Sequence, residues 1–181
     1  MVYVLLGTGF EEIEAITPVD LLRRAGVDVI TVGLNGKTVY GGHGIGIEAD
    51  ITIDEMDLTR MEMIVLPGGL GGVASIRGCQ KAMDAIRYAH EHRIYIGAIC
   101  AAPTILAELG ITDGKFAVCY PGCEEEMGDA RIEHGLSNVH DGHVITGTSA
   151  GSAVPFALSL ITAMRGIEES RRIAQQIVIL F

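Results

Sequence analysis

The sequence predicts an α/β fold, a mostly parallel sheet covered by helices on both faces. Three observations carry this. Short runs rich in Val and Ile alternate with longer amphipathic stretches from end to end, the pattern of successive βα units. The 181 residues suffice for one domain with its own core, taken as 1–181, and are too few to make two ordinary domains the default. Late in the chain an Asp-Gly pair, Asp141-Gly142, stands between alternating segments and marks a hairpin.

Taken in order, strands are expected over 2–6, 27–32, 63–66, 94–99, 116–119 and 144–146. Helices are expected over 13–25, 80–91, 101–109, 155–164 and 167–177, where apolar residues recur at three and four spacing. No linker, repeat or low-complexity tract interrupts them.

Composition narrows the function classes. The formal net charge is −10 and the basic residues form no stripe, which argues against direct nucleic-acid binding. No apolar stretch approaches the roughly 18 residues needed to cross a bilayer, so no membrane association is expected. Met1 leads straight into apolar residues without a basic leader, so a soluble, cytoplasmic protein is expected. Cys79, Cys100, Cys119 and Cys123 show no CxxC spacing and read as thiols in a reducing compartment.

In open α/β sheets ligands bind beyond the carboxyl ends of the strands, and three loops there stand out. The first, Gly7-Thr8-Gly9-Phe10-Glu11-Glu12-Ile13-Glu14, fails as a dinucleotide fingerprint because Glu12 occupies the third glycine position and carboxylates would face the pyrophosphate. Glu11 and Glu12 then read as complements to a helix dipole. The second, Pro67-Gly68-Gly69-Leu70-Gly71-Gly72, lets backbone N–H groups approach a bound atom but lacks the Lys of a nucleotide P-loop; a flexible turn accounts for it equally well. The third is Cys100, where an apolar strand turns directly into a helix: a nucleophile elbow, with small neighbours Gly97, Ala98, Ala101 and Ala102 and with Pro103 near the helix start. Unpaired N–H groups there favour a thiolate at neutral pH. His90, His92, His140 and His143 are expected to be solvated, Cys119 and Cys123 only to flank a turn, and no metal site is expected.

These motifs resemble the ThiJ/PfpI superfamily, in its single-domain branch that includes the Parkinson-disease-associated deglycase and YajL. The resemblance spans the chain through Phe10-Glu11-Glu12-Ile13-Glu14, Pro18-Val19-Asp20, Leu66-Pro67-Gly68-Gly69, Ala98-Ile99-Cys100-Ala101-Ala102-Pro103 and Thr148-Ser149-Ala150-Gly151-Ser152. It implies a flavodoxin-like sandwich, a reactive Cys100, a protonated Glu14 bonded to its sulfur, and an oxyanion pocket from the backbone N–H groups of Gly69 and Ala101, with Gly68 and Tyr120 beside it. Two positions depart from the pattern: Tyr120 stands where many members have His, and Thr148 where several have Arg. The first puts peptidase chemistry in doubt.

The resemblance also implies a homodimer joined near Ile13 and Ile16, no cofactor, and action on small α-oxoaldehydes such as methylglyoxal, or on glycated protein adducts, in protection against carbonyl and oxidative stress. A redox sensor or stress chaperone acting through oxidation of Cys100 is the alternative, with a PfpI-type peptidase behind it.

Overall fold

The structure, a computed structural model, describes residues 1–179. Its strands are β1 (Val2–Leu6), β2 (Val29–Gly33), β3 (Thr38–Tyr40), β4 (Gly46–Glu48), β5 (Ile51–Thr52), β6 (Met63–Leu66), β7 (Tyr95–Ile99), β8 (Phe116–Ala117), β9 (Arg131–Ile132), β10 (Asn138–Asp141) and β11 (Val144–Gly147). The α-helices are α1 (Glu12–Arg24), α2 (Leu70–Gly78), α3 (Gln80–Glu91), α4 (Pro103–Glu108), α5 (Ala153–Arg165) and α6 (Ile167–Gln176).

Seven strands form one sheet in the order β10-β11-β7-β6-β1-β2-β5. Every neighbouring pair is parallel except β10 and β11, the expected hairpin, in which Asp141 faces Val144 across a turn with Gly142 at φ 65°. The sheet has a core on each side. One is built by α1, α5 and α6 around Phe156 and Leu160, the other by α2, α3 and α4 around Ile86 and Ile105. This is the flavodoxin-like sandwich the resemblance implies. The central strands β1 and β6 are buried along their whole length, as parallel strands covered on both faces must be.

Several elements differ from expectation. β8 is only two residues long and pairs with β9 outside the main sheet, so the run expected to reach Cys119 is shorter and adds no strand to the main sheet. The hairpin β3–β4 and the two-residue β5 are too short for a periodicity to announce them. The glycine-rich segment is the start of α2. Glycine costs about 1 kcal/mol relative to alanine inside a helix, but a Cβ on Gly72 would lie 2.7 Å from the Cα of Phe10. Close approach of α2 to the loop after β1 therefore outweighs propensity.

Candidate active site

The loops after β1 and β6 diverge from neighbouring strands whose connections run to opposite sides of the sheet, the place where such folds bind ligands. They are stitched together: the Glu11 N–H donates to the Gly68 carbonyl at 3.0 Å. Beside them β7 ends at Cys100, whose φ of 67° is rare for a residue with a Cβ. The elbow is pinned on both sides. The Cys100 N–H donates to Gly147 O at 2.9 Å, and the Tyr120 N–H donates to Cys100 O at 2.8 Å.

Glu14, on the first turn of α1, is 1 % exposed and reaches under this elbow. Its Oε2 accepts from the Gly68 N–H at 2.9 Å, and its carboxyl shares a hydrogen bond with the Cys100 thiol. Only glycine fits at 68, because a Cβ there would lie 2.6 Å from both Cys100 Cβ and Glu14 Oε2. Gly68→Ala should therefore push the two groups apart. The expected result is a loss of about 1–3 kcal/mol in urea unfolding, as overpacking costs, with a larger proportional loss of Cys100 reactivity in alkylation assays.

Burial pushes the Glu14 carboxyl up to about 7, against the pull of its hydrogen bonds to Cys100 and Gly68. Burial, and then the charge of Glu14, push the Cys100 thiol up to about 12, opposed by the N–H groups of Gly69 and Ala101 that donate to the sulfur. The two therefore titrate as a pair: one proton leaves near neutrality and the other stays bound far into the alkaline range. This corrects the expectation that a helix end alone makes Cys100 a thiolate. α4 has six residues and begins three positions later, too little helix and too distant to offset burial beside a carboxylate. The anion belongs to the pair.

The structure brings Cys100, Glu14, Gly69, Ala101 and Tyr120 around one cleft of about 620 Å³, with Gly68 in contact beneath. The N–H groups of Gly69 and Ala101 have no backbone acceptor among the described residues. Donating to the sulfur, they are placed to stabilise an oxyanion forming beside it. Thr148 does not enter the cleft; its hydroxyl donates to Leu136 O at 2.7 Å. Cys100 has no imidazole partner among its hydrogen bonds, so the geometry lends a Cys-His peptidase nothing.

Sequence reasoning did not place Glu11, His43 or Cys123 in this cleft; Cys123, expected only to flank a turn, lines it. His43, in the β3–β4 turn, lines it together with Glu11. Its backbone N–H donates to Glu12 Oε1 and its Nδ1 lies 2.8 Å from Glu12 Oε2. Glu12, in the first turn of α1 where it complements the helix dipole as expected, is also a buried ligand of the hairpin; burial pushes its carboxyl up, but hydrogen bonds to His43 hold it below the ordinary value. No spacing signal joins residues 12 and 43. Among the described residues, Glu11, Glu12 and His43 are also the group whose donor atoms converge within 4.8 Å, at metal-ligand spacing. Elsewhere, His143 is not solvated as expected: it is half-buried against His90, with Nε2 3.1 Å from His90 Nδ1.

The DJ-1/PfpI family pattern matches residues 1–163. Protein dj-1beta of Drosophila melanogaster is 33% identical over 180 residues, covering 98% of this chain and 96% of the relative. Its crystal structure has a TM-score of 0.94 at 32% identity, covering 99% of this chain and 98% of that one. Deglycase PH1704 of Pyrococcus horikoshii is 29% identical over 85% of this chain and 90% of its own length. An oxidized DJ-1 of Toxoplasma gondii has a TM-score of 0.93 at 29% identity, covering 99% and 98% of the two chains.

Proposed function

Since the chain belongs to the DJ-1/PfpI family, we propose that it is a cofactor-independent cysteine enzyme acting on reactive α-oxoaldehydes, free or as early adducts on proteins. The observation that carries this is the hydrogen-bonded Cys100–Glu14 pair at a strained elbow, facing a cleft lined by Gly69 and Ala101, whose N–H groups point at the sulfur. A relative of similar length is named a deglycase. In this reading Cys100 attacks the aldehyde carbon, Gly69 and Ala101 hold the oxyanion, Glu14 moves the proton, and Tyr120 lines the entrance. The product is a 2-hydroxy acid. The test is lactate formation from methylglyoxal by the purified protein, measured against Cys100→Ala; equal rates would sink the reading.

The redox-sensor or chaperone reading keeps a foothold because a structural relative is described as oxidized. Mild peroxide followed by mass spectrometry tests it: two oxygens gained selectively at Cys100, without aldehyde turnover, would favour it over catalysis.

The proposal includes a homodimer and a cytoplasmic address. Ile13 and Ile16 on α1 are 54% and 37% exposed, so neither is a core residue of the protomer, and a second α1 would cover them. The four cysteines stand free, in keeping with a reducing compartment. Sedimentation at micromolar concentration is expected to give twice the protomer mass, falling toward the protomer value in Ile13→Glu; a protomer mass for the unmodified chain would reject the dimer. No helix is long and apolar enough to cross a membrane among the described residues.

A further inference from the structure

Conversion of an α-oxoaldehyde to a 2-hydroxy acid shifts hydrogen between adjacent carbons, so both carbonyl oxygens must gain or lose protons while only one sits beside the sulfur. Glu14 is buried under the elbow. The far oxygen of such a substrate needs a second donor lining the cleft, and His43 is among the lining residues.

The imidazole is held for this role. Glu12 takes its Nδ1 at 2.8 Å and its backbone N–H at 2.8 Å, and an ionised carboxylate can only accept, so Nδ1 carries hydrogen and Nε2 stays unbonded on a side chain that is 70% exposed at the cleft. The loop is wrapped tightly around that carboxylate: a Cβ on Gly41 would lie 2.4 Å from Glu12 Oε1. Glu11 Oε2 lies 3.7 Å from the same Nδ1. The other titratable groups that line the cleft with His43 are Glu14, Cys100, Tyr120 and Cys123. The hydrogen bond to Glu12 and the charges of Glu11 and Glu12 hold the imidazole pKa above its ordinary value, which favours the proton-donating form near neutrality.

We propose that His43, oriented by Glu12, is the second proton carrier of the Cys100 cleft, donating from Nε2 to the ketone oxygen of an α-oxoaldehyde and thereby selecting substrates with two adjacent carbonyls. The inference rests on the carbonyl reading above. Sulfur adds to the aldehyde carbon, and the former carbonyl oxygen takes the proton of the Cys100–Glu14 pair. Glu14 then removes the hydrogen from that carbon as a proton. Its electron pair becomes a double bond to the neighbouring carbon, whose oxygen takes the proton from His43. The hydroxyl on the sulfur-bearing carbon returns a proton to His43, Glu14 protonates the second carbon, and a thioester results. Water cleaves the thioester, releasing sulfur and the 2-hydroxy acid and returning one proton to the pair. One carbon is oxidised and its neighbour reduced by the same two electrons, so no external oxidant enters.

His43→Gln is the decisive variant, because a Gln side-chain amide can still donate to Glu12 and keep the hairpin docked. With methylglyoxal, kcat for lactate is expected to fall roughly 10²-fold, the lower range for loss of a general acid or base. KM and melting temperature should change little, and the alkaline limb of the kcat profile should disappear. Glu12→Gln should instead shift that limb to lower pH. Undiminished turnover with an intact alkaline limb in His43→Gln would overturn the proposal, as would activity lost to a chelator and restored by zinc, which would make Glu11, Glu12 and His43 a cation site. Lactate from the unmodified protein but not diminished in His43→Gln sinks this inference alone; no lactate from either sinks the carbonyl reading with it.

Discussion

Cys100→Ser is expected to reduce lactate formation from methylglyoxal by at least about 10³-fold, or roughly 4 kcal/mol of transition-state stabilisation. The substitution is small. Serine keeps a Cβ at the same positive φ and a hydroxyl that can bond to Glu14, so the elbow is expected to hold its shape and the melting temperature to stay close to that of the unmodified protein. The loss is chemical. A serine hydroxyl is far less acidic than a thiol, and a carboxyl near 7 cannot draw its proton during attack. Steady-state kinetics beside a melting curve separates this from a folding defect: parallel loss of both would mean that Cys100 serves packing.

Glu14→Gln acts on stability and on activity in opposite directions. The folded pKa of Glu14 lies above its ordinary value, at about 7 against 4.5, so the folded state binds the proton more tightly than the unfolded state. Stability is then full below about 4.5 and falls as pH rises toward about 7. The amount is about 3 kcal/mol at 1.36 kcal/mol per unit. Gln keeps a carbonyl oxygen to accept the Gly68 N–H and carries no charge. Urea unfolding should show the variant and the unmodified protein close at pH 4.5, with the variant more stable by up to about 3 kcal/mol at pH 8. Its turnover should fall by roughly 10²-fold or more, and the acid limb near pH 7 should vanish. A stability gap independent of pH would show that Glu14 is not the buried titrating group described here.

Much of this site is legible in the sequence because its parts sit on consecutive signals along the chain. The Val- and Ile-rich run ending at Cys100, the small residues around it and Pro103 three positions later announce an elbow by local rules. The glycine loop holding Gly68 was legible on its own, but its place beside Glu14 and Cys100 came from a resemblance, since no spacing rule brings residues 14, 68 and 100 together. The structure supplies the reason: β1, β6 and β7 are sheet neighbours ending side by side. Two readings failed where tertiary contacts outweigh local preference. Gly71 and Gly72 read as a loop but open a helix, because α2 must touch the loop after β1. Glu12 read only as a complement to a helix dipole, which missed its burial against a hairpin some thirty residues away. The thiolate expectation failed for a related reason: helix-end electrostatics can be read locally, whereas desolvation by the whole fold cannot.

The central claim is that Cys100 and Glu14 titrate as one unit whose singly protonated form is the reactive one. The most direct measurement is the rate of iodoacetamide alkylation at Cys100 against pH, followed by peptide mass spectrometry in the unmodified protein and in Glu14→Gln. The expected result is a sigmoidal rise with its midpoint near 7 in the unmodified protein and a midpoint displaced upward, by about one unit or more, in the variant. Identical midpoints in the two proteins would contradict it.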